Sequence, residues 1–547
     1  MNERKKILSL DMGGTNLDGV VLENFRVTKS IKTPIDPDDL AGSVTRCLAE
    51  LTGRDDPESW TEIHLSTTLT TNCIAQRRLD PVTLVIQVGP GLVEDYTAEG
   101  LDLHELSGAI DHRGIVTQKV SDRELSQLST ALRPDDFPQL AVVCKFGTRN
   151  PQYEQELASK LRAPFESVTL GHLLSGSLNF PRRVRTAWFN AAVTRIFKHF
   201  AISVEEGLHA AGIKAPIYIL KADAGTLPLE IAKEQPVQSI LSGPAASYLG
   251  FRALMPTEED AILLDIGGTT TDIFYLVAGE PLFEVEGASI GGYKTLVRSL
   301  FTDTLALGGD SFVHWDEGVQ IGPGRSSTPP TLSDAYRLLG RLSDDADPSV
   351  FENFARDHGR EPQEMAHDVA KLAARKIYDT VEARLQELHR RPLYTVREVL
   401  EDRRLEPNVW QVIGGPAHAL KPELDELLSL PVQVPEQAEV ANAIGAAYAR
   451  PTQILTLHAD TEAGVLRIPE LGVQEQIRRT YDMPLAKERL MHELSNQARK
   501  LGLSEDNIEV IEEQRFLMLD GFRQGLNLRL QGQIRPGLMS EGVPHES

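Results

Sequence analysis

The 547-residue chain is too long for a single hydrophobic core, and at roughly 100–200 residues per domain it predicts three or four units. Its 41% hydrophobic and 25% charged residues are those of an ordinary globular protein, and a net charge of −23 excludes nucleic acid and an anionic membrane surface as partners, because the chain's own field repels both. Three cysteines, odd in number and far apart, exclude a disulfide framework and a CxxC metal site and fit a reducing, cytoplasmic setting.

Near the N-terminus, Asp11 interrupts the first apolar stretch too early for a signal-peptide core, and no run approaches the roughly 18 apolar residues of a membrane span. Strand-like runs then alternate with helical patterns: KILSL (6–10), GVVL (19–22), EIHLS (62–66), VTLVIQV (82–88), LAVVCKF (140–146), IYILK (217–221), AILLD (261–265), DIFYLV (272–277), VWQVIGG (409–415) and VQVP (432–435). The clearest helix spans 362–390, where Met365, Val369, Leu372, Ile377, Val381, Leu385 and Leu388 recur every three to five residues. This is the pattern of an α/β chain. Residues 1–250 and 251–450 read as two lobes, with 80–175 an α/β subdomain inserted in the first. The tail, 451–547, reads as a small α+β domain: a hairpin at 453–470, a helix at 485–503 and strands at 507–519 and 525–534. Loops are expected at 321–334 and 342–350, from their Pro, Ser and Asp content.

One motif occurs twice. SLDMGGTNLD (9–18) and LLDIGGTTTD (263–272) share an apolar run, D-x-G-G-T-x-x-D and a second apolar run. Paired glycines between apolar strands make a tight hairpin whatever else they do. Here each copy also sets an aspartate, Asp11 or Asp265, at the end of a buried strand, where a carboxylate suits Mg²⁺ or its waters. The residues that follow, Gly13, Gly14 and Thr15 or Gly267, Gly268, Thr269 and Thr270, offer successive backbone N–H groups and hydroxyls to phosphate oxygens. Two such hairpins facing each other would clamp ATP and Mg²⁺ between lobes. Asp18 and Asp272 either line the cleft or cap local backbone. No P-loop or G-x-G-x-x-G is present. Histidines are scattered without metal-ligand spacing, and Ser242 lies outside any G-x-S-x-G elbow.

The repeated hairpin resembles the phosphate motifs of the superfamily that joins actin, heat-shock chaperones and sugar kinases, which implies two ribonuclease-H-like lobes. LALGGDSF (305–312), with Gly308 and Gly309, is similar to the glycine pair that follows the second hairpin there. VWQVIGGPAHAL (409–420), with Gly414, Gly415 and Pro416, is similar to the adenosine motif. In AEVANAIGAAYAR (438–450), small residues four apart predict a helix that approaches its neighbour closely at a lobe junction.

Over about 1–450 the likeness narrows to the hydantoinase A and oxoprolinase family. STTLTTNCIAQRR (66–78), DHRGIV (111–116), FGTRNPQYE (146–154), RRVRTAWFNAAV (182–193), ILKADAGTL (219–227) and PVQSILSGPAA (236–246) resemble family segments in order. The resemblance implies ATP-dependent hydrolysis of a cyclic amide, or a related carboxylation, through a phosphorylated intermediate. It implies Asp11 and Asp265 as Mg²⁺-side carboxylates, one of them acting as base. Thr67, Thr68, Asn72, Arg183, Thr186 and Asn190 are the expected substrate side. A second, hydantoinase-B-like subunit is the partner it implies, while self-association stays open. So do two other readings: a small-molecule kinase, and a nucleotide-gated protein of chaperone or activase type. Leu17 departs from the family, which has Thr there, and so does the order of residues in GGPAHA.

Overall fold

The computed structural model describes residues 5–14, 16–36, 39–53, 55–91, 94–161, 164–322, 330–342, 347–390, 404–520 and 523–539. Thr15 and the parts 323–329 and 343–346 of the loops expected at 321–334 and 342–350 lie outside the described residues. The fold is mixed α/β with several sheets.

The first large sheet runs Thr226–Pro228, Ile217–Leu220, Glu62–Thr67, Lys6–Met12, Asn16–Glu23, Arg26–Pro34. Its central strand Lys6–Met12 pairs antiparallel with its own hairpin partner on one side and parallel with Glu62–Thr67 on the other. The second large sheet repeats the arrangement. Ala261–Ile266 pairs antiparallel with Thr271–Val277 and parallel with Val409–Ile413. These central strands are buried on both faces and read as largely apolar runs, as covered strands do.

A third sheet is wholly parallel, in the order Ser167–Leu170, Gln139–Cys144, Val82–Gln87, Leu101–Leu106. The 31-residue helix Phe180–Ala210 spans it and the first sheet. Val184, Ala187, Trp188 and Ala191 pack on Leu84, Ile86 and Ala141 of the third sheet, whereas Phe197, Ala201 and Val204 enter the core of the first. Each half buries a different face, and polar Arg183, Thr186 and Asn190 are buried among the apolar residues, which is why its period is faint in the sequence.

Two helices join the large sheets. Ser242–Leu254 packs through Ala245, Ala246 and Leu249 into the core of the second sheet, and Ala441–Tyr448 packs through Ala443, Ile444 and Ala447 on Ile7, Val20 and Leu22 of the first. They cross on glycines, as the small-residue spacing predicts. A Cβ on Gly445 would lie 2.1 Å from the Ala246 carbonyl oxygen, and one on Gly250 2.4 Å from that of Ala441.

The tail forms a five-stranded antiparallel sheet, Val473–Gln476, Val465–Ile468, Ile454–Asp460, Arg523–Ile534, Ile508–Asp520, covered by helix Met483–Lys500 through Ala486, Leu490, Leu494 and Ala498. Among the described residues no helix is long and apolar enough to cross a membrane.

Candidate functional site

The two hairpins share their register and their turn closure. Asp11 faces Asp18 across the first and Asp265 faces Asp272 across the second. Each turn closes by one backbone bond, Gly13 N–H to the Asn16 carbonyl at 3.0 Å and Gly267 N–H to the Thr270 carbonyl at 2.9 Å. Nothing lies within 4 Å of a Cβ built on Gly14, so that turn presents bare backbone outward.

Three glycine segments distant in sequence meet at the second hairpin. Gly309 and Asp310 donate their backbone N–H groups to the carbonyls of Gly267 and Gly268 at 3.0 and 2.6 Å. A Cβ on Gly308 would fall 2.6 Å from the Gly267 oxygen, and one on Gly309 3.1 Å from the Pro416 ring. Gly414 holds φ +97°, and a Cβ there would lie 2.2 Å from the Ile266 oxygen and 2.9 Å from the Asp265 carboxylate, so only glycine fits. Gly415 opens onto free space, immediately before Pro416 at the N-terminus of helix Ala417–Leu427. Thr269 and Thr270 are half-buried in the turn itself.

The carboxylates are within electrostatic range of one another. Burial, then the Asp18 charge, then that of Asp265 push the Asp11 carboxyl up to about 7, with Ser66 on the neighbouring strand pulling the other way. Asp18 is raised chiefly by burial, partly offset by Lys32 at 2.8 Å, and Asp265 repels it too. Burial pushes Asp272 up to about 7 despite a 2.7 Å bond from Thr304. Asp265 accepts from Ser247 at 2.6 Å and from Asn442 at 3.1 Å, one on each of the crossing helices. Asp11 Oδ1 and Asp18 Oδ1 are buried without a hydrogen-bond partner. Unpartnered, charge-crowded carboxylate oxygens are what a cation and its water shell would satisfy, so these residues fit Mg²⁺. Among the described residues no group of three or more His, Cys, Asp or Glu side chains converges as a metal cage. A hard cation here would therefore keep most of its waters and share phosphate oxygens.

The expected substrate residues divide into two sets. Thr67, Thr68 and Asn72 sit at or just beyond the carboxyl end of Glu62–Thr67, beside the strand Lys6–Met12 that carries Asp11. Thr67 Oγ1 caps the Leu69 N–H at 3.1 Å, Thr68 Oγ1 donates to the Met12 carbonyl at 3.3 Å, and Asn72 Nδ2 donates to Thr68 Oγ1 at 3.2 Å. Arg183, Thr186 and Asn190 instead lie inside, fully buried on the long helix. Arg183 donates to the carbonyls of Ser177 and Cys144 at 2.8 and 3.0 Å, next to the buried Glu154–His172 pair. Thr186 Oγ1 accepts the Leu296 N–H at 2.9 Å. Asn190 bonds Thr169, the Glu234 carbonyl and the Val237 N–H. These three tie the third sheet and the long helix to the segments around them.

Sequence reasoning named neither Ser247, Asn442, Lys32 nor Thr304. Ser247 and Asn442 carried a signal all the same, since each is a lone polar residue in a run of alanines and glycines, where a helix face has no other reason for one.

Matched acidic hairpins, one bracketed by two further glycine segments, define a mixed α/β protein built on a duplicated acidic turn. The chain belongs to the hydantoinase/oxoprolinase family: the model of that family matches residues 183–455, and the model of its N-terminal region matches residues 7–164. It is 25% identical over 390 residues to the caprolactamase subunit alpha of Pseudomonas jessenii, covering 63% of this chain and 56% of that one, so the match spans little more than half of that relative's length. An uncharacterised protein of Methanocaldococcus jannaschii is 23% identical over 509 residues, 80% of this chain and 72% of its own. The fold is similar to that of nucleotide-free acetone carboxylase (TM-score 0.71, 15% identity, 100% of this chain and 89% of the other). It is also similar to that of the ATP-dependent caprolactamase of Pseudomonas jessenii (0.69, 18%, 99% and 90%).

Proposed function

We propose that the protein is an ATP-dependent enzyme that activates a cyclic amide for hydrolysis, or a related substrate for carboxylation, by transferring the γ-phosphoryl of ATP to it. The observation that carries this reading is the pair of matched hairpins, with Asp11 and Asp265 in range of each other and the Asp11 Oδ1 left without a partner. Residues 1–250 and 251–450 are then the two ribonuclease-H-like lobes of an actin-type ATPase, with 80–175 inserted and 451–547 appended. The family and the two similar folds support it, one relative being an ATP-dependent caprolactamase and the other a carboxylase with an ATP-dependent reaction.

An unactivated amide is a poor electrophile. Phosphorylated on its oxygen it becomes an imidate that water attacks readily, and phosphate leaves as the ring opens. The chain's share is positioning and charge neutralisation. Backbone N–H groups of Gly13, Gly14, Gly267 and Gly268 hold phosphate oxygens. Gly308, Gly309, Gly414, Gly415 and Pro416 border the nucleoside. Asp11 and Asp265 would hold Mg²⁺, which when bound would neutralise phosphate charge. Asp11, whose Oδ1 has no hydrogen-bond partner, is our assignment for the carboxylate that takes a proton from the attacking water. Thr67, Thr68 and Asn72, at the same strand ends, face the transferred group, while Arg183, Thr186 and Asn190 hold the scaffold behind them. A second subunit of the hydantoinase B kind is the proposed partner, because the curated caprolactamase chain is named as a subunit alpha.

Phosphate release from ATP, measured with and without hydantoins, 5-oxoproline and small ketones and with ring opening followed in parallel, tests the reading. Stimulation with ring opening or carboxylation supports it. A stable phosphorylated product would mean a kinase, and stimulation by a protein alone would mean a nucleotide-gated module.

A further inference from the structure

Two family-like segments have no part in the hairpin site: DHRGIV (111–116) and FGTRNPQYE (146–154). Each carries an arginine toward the C-terminal sheet, and the two arginines meet opposite surroundings. Arg113 is answered by acid, pairing with Asp460 at 2.9 Å and with Glu462 at 3.2 Å. Arg149 is met by further cations, Arg529 and Arg467.

The sheet's register sets this up. His458 lies directly opposite Arg467 on one neighbouring strand and Arg529 on the other. Side chains alternate along a strand, and Leu457, Ala459, Leu466, Leu528 and Leu530 enter the core beneath the covering helix, so Arg467, His458 and Arg529 form a row on the other face. Two strand spacings, roughly 10 Å, separate the arginine strands across His458. Arg149 is within electrostatic range of all three.

The charges in this group do not balance. Asp460 and Glu462 are engaged by Arg113, and Asp460 also accepts the N–H groups of Glu462 and Ala463 at 3.0 and 2.8 Å. Glu512 pairs with Arg529, and Glu470, raised by burial, accepts the Thr456 N–H at 3.1 Å. Arg467 bonds the neutral Gln474 at 3.0 Å and has no carboxylate partner among the described residues. Arg149 is only 8% exposed, yet its guanidinium has neither an ion pair nor a hydrogen bond among the described residues; its Nε is sealed, whereas its terminal nitrogens are not. Burial, then the charges of Arg529 and Arg467, bring it down to about 10 against the pull of Asp460. Burial, then Arg149 and Arg529, hold His458 well below its usual value, so the ring between the arginines is neutral.

A chain of net charge −23 has no surplus of cations to force three guanidinium groups together. Buried charge is costly unless it is paired, so this arrangement calls for an anion. Guanidinium N–H forks match the oxygens of phosphate two at a time. Two uncompensated cations suit a doubly charged phosphoryl group better than a single carboxylate.

We propose that Arg149, Arg467 and Arg529, grouped around His458, bind a phosphoryl group, either free phosphate or one carried by a small molecule, where the third sheet meets the C-terminal sheet. The site shares no residue with the hairpins, and binding there is independent of what the hairpins hold.

Calorimetric titration of the full chain with inorganic phosphate, glycerol 3-phosphate and acetate tests this. Ionic strength is fixed with chloride, and a non-hydrolysable ATP analogue with Mg²⁺ is present to occupy the hairpins. Binding of either phosphate compound, with acetate at least fivefold weaker, is the expected result, and which of the two binds tells free phosphate from a phosphate ester. Arg149→Met should weaken that binding at least tenfold and Arg467→Gln at least threefold, with affinity for the ATP analogue unchanged in both. No binding of either phosphate compound, a preference for acetate, or phosphate affinity equal to wild type in the variants would overturn the proposal. Should Arg149→Met not fold, Arg467→Gln, which alters a half-exposed residue, still decides.

Discussion

Replacing Asp11 by Asn should make the ligand-free protein more stable as pH rises while destroying its turnover. Asp11 is 6% exposed, and its carboxyl titrates at about 7 instead of near 4. The folded state thus binds this proton about a thousandfold more tightly than the unfolded chain does. The carboxyl's stabilising contribution is complete below about pH 4 and is lost as pH climbs to about 7, after which the penalty is constant. Worked through, the ionised group costs about 2 kcal/mol at pH 5.5 and about 4 kcal/mol at pH 7.5. Burying an unpaired amide takes back about 1–3 kcal/mol, but equally at both pH values, so the gap between variant and wild type should widen by about 2 kcal/mol from pH 5.5 to 7.5. A chain with several cores does not unfold in one step, so the measurement is hydrogen exchange of the Lys6–Met12 amides in graded urea, without nucleotide. ATP turnover in the same variant should drop by about 10²–10³. A gap that stays constant or narrows with pH would refute the premise that Asp11 is held in a crowded, desolvated site awaiting a cation.

Three further outcomes are expected. Asn442→Ala, which removes one of the two donors to Asp265, should lower kcat about tenfold with little change in stability, checked by steady-state phosphate release. Gly445→Val should cost about 3 kcal/mol or more, because its Cβ would sit 2.1 Å from the Ala246 oxygen where two helix backbones touch. A melting temperature within a degree of wild type would contradict that. Excess EDTA should abolish substrate-stimulated phosphate release, and added Mg²⁺ should restore it. Release that survives chelation would remove the cation from the role given to Asp11 and Asp265.

The hairpins, the glycine segments and the crossing helices were legible because each rests on a local rule: glycine where no Cβ fits, apolar runs where a strand is covered on both faces. Strands Arg26–Pro34 and Leu101–Leu106 were not legible, since one is mostly exposed and the other mostly half-buried, and neither makes an apolar run. Arg183, Thr186 and Asn190 show the deeper limit. A charged or polar residue at helical spacing reads the same whether it faces a substrate or a buried carbonyl, and here all three meet the chain's own backbone. The contact between Thr226 and Thr452 was beyond reach for a related reason: the two are 226 residues apart and are joined through backbone bonds, Thr226 N–H to the Arg450 carbonyl at 3.0 Å and Thr452 N–H to the Thr226 carbonyl at 3.1 Å.

Leu17, the departure from the family's threonine, is explained by the face it occupies. Side chains alternate along the strand, so Leu17 points away from Asn16 and Asp18 into the core with Val44, Phe197 and Ala201, and is fully buried. Its counterpart in the second hairpin, Thr271, is buried too, but its hydroxyl donates to the Leu307 carbonyl at 2.7 Å and so pins the loop that carries Gly308 and Gly309. Among the described residues no neighbouring glycine loop bonds the first hairpin, and Thr68 reaches the Met12 carbonyl there instead. The two turns thus share their acidic face and differ on their core face. On the function proposed above, that asymmetry suits a clamp in which one half borders the nucleoside and the other the group that receives the phosphoryl.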